Sequence, residues 1–144
     1  MTFGEKLIKG GDVMISIVLV SHSAKVAEGV KELAEQVSHN WVKIYAAGGV
    51  DDHTIGTNVE LIYAALMEAS NTADVLVLLD IGSAILSTQM ALEMLPADRH
   101  SRVKLGEAPL VEGAIIASVE ASLGHGLEKV KFAAEAACSM RKLP

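Results

Sequence analysis

Cysteine and aromatic residues are scarce in this 144-residue sequence: Cys138 is the only thiol, and one Trp, two Tyr and two Phe make up 3% of the chain. One cysteine excludes an internal disulfide framework and any cysteine-based zinc or iron–sulfur cluster, and it fits a reducing cytoplasm. So few aromatics leave little to stack on bases or sugar rings. Basic charge is short as well. Twelve Lys+Arg face 18 Asp+Glu, a formal charge of −6, which argues against binding to phosphate backbones. No apolar run approaches the ~20 residues of a membrane span. The N-terminus lacks a basic segment leading into a long apolar core and cleavage site, so the chain is expected to be soluble, unexported and free of nucleic-acid or membrane partners. Aliphatic residues are abundant, since hydrophobic types reach 51% with almost no aromatic share. The expected core is therefore aliphatic and rich in alanine. A chain of this length reads as one compact domain that buries roughly two-thirds of its unfolded surface and needs no metal or disulfide to hold it.

Residues 1–13 are polar and glycine-interrupted, and are expected to be an N-terminal extension, disordered or left by the choice of start site. A regular pattern begins at Met14, and residues 14–144 are expected to form a single domain. Ile15 to Val20, ISIVLV, is short, β-branched and almost wholly apolar, as expected of a parallel strand covered on both faces. After Ser21-His22-Ser23, residues 24–38 place Val26, Val30, Leu33 and Val37 at helical spacing, with Lys25, Glu28, Lys31, Glu32 and Glu35 on the other face. A second strand is read from Val42 to Ala46 and a helix from about Thr57 to Ser70. Asp74 to Leu79 makes a third strand, and a helix containing Ile85, Leu86, Met90, Leu92 and Leu95 follows until Pro96. Arg102 to Leu105 reads as a weaker fourth strand. Two further helices run to about Ser122 and, after Gly124-His125-Gly126, to about Met140. Strands alternating with helices through short loops imply an α/β fold: a small, doubly wound, mostly parallel sheet of about four strands flanked by helices.

In such a fold, reacting groups gather beyond the carboxyl ends of the strands, near the point where strand order reverses. Three loops meet that description. The first carries His22 directly after a strongly apolar strand, where neither packing nor strand propensity asks for histidine. Its near-neutral pKa suits a nucleophile or proton carrier, although a loop histidine bonded to backbone is equally compatible. The third loop places Asp80 at the matching end of its strand, positioned to accept from one ring nitrogen and leave the other free to attack. Capping the next helix is the alternative use of that residue. Gly82 and Ser83 would present backbone N–H groups at a helix start, a favourable setting for a phosphoryl group. The second loop adds Gly48, Gly49 and Gly56-Thr57, a glycine-permitted approach to another helix start. Asp51, Asp52 and His53 read as solvated turn residues, so no metal is expected. His39, His53, His100 and His125 are read as structural or exposed, and Cys138 as core on the apolar face of the final helix. The absence of a G-x-S-x-G elbow, a Walker lysine loop and a G-x-G-x-x-G motif disfavours serine hydrolases, ATP-binding kinases and dinucleotide enzymes.

The segments ISIVLV–SHS, AAGG, IGT, LLDIGSA and APLVEG together resemble the DhaM family, the phosphoryl-donor subunits of phosphotransferase-dependent dihydroxyacetone kinases. Their carrier domain is similar to the mannose-type IIA domain of the sugar phosphotransferase system. The resemblance runs from about Met14 to the last helix. It implies a phosphotransferase component in which His22 receives a phosphoryl group on Nε2 from the carrier HPr and passes it to ADP on the nucleotide subunit of the kinase, DhaL. Asp80 would hold Nδ1–H, while Gly82, Ser83, Thr57, Gly56 and Gly48 would surround the phosphoryl oxygens. No resident cofactor is implied beyond the transient phosphohistidine, because ADP and ATP stay on the partner. A homodimer in the cytoplasm is implied too. Relatives with fused HPr-like domains are longer, so a chain ending at Pro144 is expected to borrow a separate HPr. Two other readings compete: a mannose-type IIA component of a sugar transporter, which the DIGSA segment disfavours, and a flavodoxin-like module that binds a small phosphate ester.

Overall fold

A computed structural model describes residues 14–144; the extension read at 1–13 lies outside the described residues. Four strands form one sheet: β1 (Ile15–Ser21), β2 (Lys43–Gly48), β3 (Asp74–Leu79) and β4 (Val103–Gly106). They lie in the order β2-β1-β3-β4, and every neighbouring pair is parallel. The chain winds from β1 outward to β2, then returns to the other side of β1 with β3. Strand order therefore reverses between β1 and β3, and their carboxyl ends flank the crevice where ligands of such sheets bind.

Helices cover both faces, as the parallel crossovers require. On one face lie α1 (Ala24–Val37), α5 (Leu110–Ser122) and α6 (Leu127–Glu135), packed on Ile15, Ile17 and Leu19 of β1 and Leu76 and Leu78 of β3. The other face carries α2 (Val59–Ser70) and α3 (Ser83–Glu93), which bury Val18, Val20, Val75 and Val77. All these strand side chains are shut off from solvent or nearly so. The alternation also fixes the site. Ser21 continues the 15, 17, 19 set and Asp80 continues the 76, 78 set, so both stand on the α1 side of the sheet.

Alanine supplies much of the helix contact, as the composition predicts, but the buried stripe of α1 differs from the expected one. Ala27, Val30 and Ala34 are buried, whereas Val26, Leu33 and Val37 are 46%, 49% and 38% exposed. The reason is close approach on two sides. A Cβ at Gly48 of β2 would lie 2.4 Å from the Ser23 carbonyl oxygen and 2.8 Å from Ala27 Cβ. Opposite, Ser118 of α5 donates a 2.8 Å hydrogen bond to the Ala34 carbonyl. Only small side chains fit along that line, and the larger ones are turned to the rim.

Several boundaries shift, β2 and β4 by one or two residues. The helix read from Thr57 begins at Val59, because Asn58 caps it. The charged ADRHSR segment after Pro96 contains the short helix α4 (Ala97–His100), from which Arg99 donates to the Met67 carbonyl and the Ser70 hydroxyl near the end of α2. The last helix gives way after Glu135 to a 3-10 turn over Ala136–Ser139. That turn changes the helical phase, so Ala137 is buried and Cys138, expected in the core, is exposed with its thiol donating to the Glu107 carbonyl.

Candidate functional site

The register Val20↔Leu79 brings the next residues of β1 and β3 together, and the Asp80 N–H donates to the Val20 carbonyl across the gap. His22 and Asp80 meet there. His22 Nδ1 lies 2.9 Å from Asp80 Oδ1, with both side chains 20% exposed. The Ile81 N–H donates to the same oxygen at 2.7 Å. Asp80 Oδ2 accepts two more bonds, from the Ser21 hydroxyl and the His22 N–H, each at 2.9 Å. Burial pushes the Asp80 carboxyl upward, but bonds from the His22 backbone and ring, the Ile81 N–H and the Ser21 hydroxyl outweigh it and hold the group below its ordinary 3.8.

Protonation of the ring follows from that carboxylate. An ionised carboxylate only accepts, so in the neutral imidazole Nδ1 must carry the hydrogen and Nε2 the lone pair. Ser83 Oγ lies 2.5 Å from Nε2 and donates to it. The arrangement is a histidine whose back nitrogen is tied to an anion and whose front nitrogen is a base or nucleophile. Such a ring can accept a transferred group on Nε2 while Asp80 stabilises the cation that forms.

Helix α3 starts beside that nitrogen. Gly82 is its N-cap and carries no side-chain cap, and Asp80 takes no part in capping. Among the described residues the N–H groups of Gly82 and Ser83 have no hydrogen-bond partner. They are donors at the positive end of an 11-residue helix.

The remaining predicted site residues are engaged in different ways. Gly56, at φ +138°, gives its N–H to the His22 carbonyl at 2.8 Å, which fixes the backbone of the histidine. Thr57 Oγ1 lies 2.6 Å from Ser87 Oγ and ties this loop to α3. Gly48 spends its missing Cβ on the close approach of β2 to α1. Other histidines are engaged elsewhere. His53 donates its N–H to Asp51, His100 Nε2 meets the Leu95 carbonyl and His125 Nδ1 meets Glu120; His39 sits in a left-handed turn at the end of α1. A cleft of about 840 Å³ lies away from His22, and its lining includes Glu107, Glu112 and Glu135, which would repel an anion.

Sequence reasoning missed Ser21, treated there as a flank of the histidine. Its signal was a hydroxyl on an otherwise apolar strand face beside the reversal point. Asn58 was missed as well, although an Asn two residues before Glu60 is an N-terminal helix signature.

An all-parallel four-stranded α/β sheet with a histidine–aspartate pair at its reversal point defines the class, and the chain belongs to the EIIA-man family, whose model, described as "PTS system fructose IIA component", matches residues 16–131. Within it the chain falls with the DhaM proteins. It is 39% identical over 117 residues to "PEP-dependent dihydroxyacetone kinase 2, phosphoryl donor subunit DhaM" of Listeria innocua, covering 81% of this chain and 94% of that protein. Identity to "PEP-dependent dihydroxyacetone kinase, phosphoryl donor subunit DhaM" of Escherichia coli K12 is 42% over 122 residues, 83% of this chain. The chain spans about a quarter of the length of that relative and of its Klebsiella michiganensis counterpart, 26% and 25%. The crystal structure of a protein of unknown function, EF1359, superposes with a TM-score of 0.82 at 32% identity, covering 92% of this chain and all of that one. Among the described residues no helix is long and apolar enough to cross a membrane.

Proposed function

We propose that this chain is a phosphohistidine carrier: His22 accepts a phosphoryl group from phospho-HPr and passes it to ADP held on the nucleotide subunit of a dihydroxyacetone kinase, DhaL. The observation that carries the reading is the His22–Asp80 pair, which leaves the Nε2 lone pair directed at Ser83 and the start of α3. In the first step Nε2 forms a bond to phosphorus as the donor's phosphorus–nitrogen bond breaks. His22 keeps its Nδ1 proton, becomes cationic, and is stabilised by Asp80. In the second step an oxygen of the ADP β-phosphate bonds to the phosphorus, the Nε2–phosphorus bond breaks, and neutral His22 returns with ATP formed.

A loose, in-line transfer needs positioning and charge stabilisation more than covalent help. The free N–H groups of Gly82 and Ser83 and the start of α3 supply donors for the phosphoryl oxygens, and the Ser83 hydroxyl turns from Nε2 to one of them. Thr57, held through Ser87, closes the rim. The names of the relatives, phosphoryl donor subunits of dihydroxyacetone kinases, support the choice of acceptor. A cytoplasmic homodimer belongs to the same reading.

Incubation with phosphoenolpyruvate, enzyme I and HPr is expected to add one acid-labile, base-stable phosphoryl group by intact mass. His22→Ala is expected to take up none; label on that variant would refute the assignment. Adding DhaL with ADP is expected to discharge the carrier. The family model describes a fructose component, so discharge to a membrane-associated IIB protein but not to DhaL would replace this reading with that of a sugar-transporter IIA domain.

A further inference from the structure

Ser21 closes β1 and is 1% exposed, on a strand face otherwise made of Ile15, Ile17 and Leu19. A hydroxyl in that position lowers apolar burial and must be satisfied. Both of its functions are used. Its oxygen accepts from the Ser23 N–H at 3.0 Å, and its hydrogen goes to Asp80 Oδ2 at 2.9 Å. The bonds have a direction: Ser23 N–H donates to Ser21, Ser21 O–H donates to Asp80, and His22 Nδ1–H donates to the other oxygen of the same carboxylate.

Asp80 stands in the loop just past β3, so the direction of its carboxylate depends on the donors around it. The Ile81 N–H holds Oδ1 from the loop side, and two donors on Oδ2, the Ser21 hydroxyl and the His22 N–H, fix the other oxygen, so that Oδ1 faces Nδ1. The backbone donor moves with the histidine itself. Ser21 is the side-chain donor on Oδ2 that belongs to the rigid sheet, and through Ser23 it also ties the carboxylate to the N-cap of α1. We propose that Ser21 is a positioning residue for the His22 reaction: its hydroxyl, oriented by the Ser23 N–H, holds the Asp80 carboxylate so that the ring keeps its proton on Nδ1 and its lone pair on Nε2. The role in transfer rests on the carrier reading; the control of the ring does not.

The test reads the two separately. Long-range ¹H–¹⁵N spectra of the ¹⁵N-labelled full chain report which ring nitrogen of His22 is protonated, and rapid-quench labelling by phospho-HPr reports transfer. The unaltered chain is expected to carry its proton on Nδ1. Ser21→Ala is expected to mix in the Nε2–H form and slow phosphoryl uptake roughly tenfold, the effect of removing one hydrogen bond to a charged group. Ser21→Thr, which retains the hydroxyl, is expected to restore the Nδ1–H form and most of the rate. Should Ser21→Ala fail to fold, Ser21→Cys, close in size and a weaker donor, is read in the same way. An unchanged Nδ1–H form in Ser21→Ala would overturn the proposal, as would equal loss in the Ala and Thr variants, which would make the residue one of packing. If the unaltered chain takes up no phosphoryl group, the carrier reading fails while the ring spectra still decide the role of Ser21.

Discussion

The loops that lead into α2 and α3 use similar residues for different ends. Asn58 caps α2: its side-chain oxygen accepts from the N–H groups of Glu60 and Leu61 while its amide donates to the Val50 carbonyl. At the start of α3 stand Asp80, two residues before the N-cap Gly82, and Ser83, the first residue of the helix, both residue types suited to capping, and neither caps. Asp80 turns to Ser21 and His22, Ser83 turns to Nε2, and the helix starts at an uncapped glycine. One loop spends its polar side chains on local stability. The other withholds them from it, leaves two N–H groups open, and gathers the side chains around a histidine. A helix start that forgoes an available cap is a sign of a site.

Mutations at the two loops should therefore part stability from transfer. The largest effect is expected at Asp80. Asp80→Ala should remain folded by circular dichroism yet slow phosphoryl uptake roughly a hundredfold in quench-flow labelling, the scale of a misplaced reacting group; an unchanged rate would return Asp80 to the scaffold. Ser83→Ala should slow transfer about tenfold, as expected for one lost charge-assisted hydrogen bond, and leave the unfolding midpoint nearly unmoved because Ser83 caps nothing. Asn58→Ala should do the reverse, costing about 1 kcal/mol, a fall of about 4 °C in a thermal melt, with unaltered uptake.

The smallest effect is in pH. The folded Asp80 carboxyl lies below its ordinary 3.8, so its contribution to stability is complete above the ordinary value and is lost as pH falls through the folded one. Denaturant midpoints of the unaltered chain and Asp80→Asn should therefore converge in acid and stay apart at neutral pH. A gap independent of pH would mean that ionisation of Asp80 adds nothing.

Much of this was legible because the signals were local. An apolar run buried on both faces marks β1 and β3 wherever the helices go, and the residue after each run lies at the carboxyl edge. His22 and Asp80 were therefore identifiable as a pair once the strands were adjacent. Helix faces were less legible, because spacing reports an apolar stripe and not the clearance around it. Val26 and Leu33 fit the spacing, yet the approach of Gly48 and of Ser118 gives the inner line to Ala27 and Ala34. The direction of a polar side chain was least legible. Nothing in SHS or DIGS states that Ser21 would donate to Asp80 or that Asp80 would decline to cap, since each depends on strands far apart in the chain.

On the carrier reading, Asp80 makes Nε2 of His22 the atom that carries phosphorus. Fragmentation of the phosphorylated chain, with ³¹P–¹H correlation to the imidazole ring, locates the group directly. One phosphoryl group is expected on His22, bonded to Nε2. A group on Nδ1, or on any other residue, would contradict it.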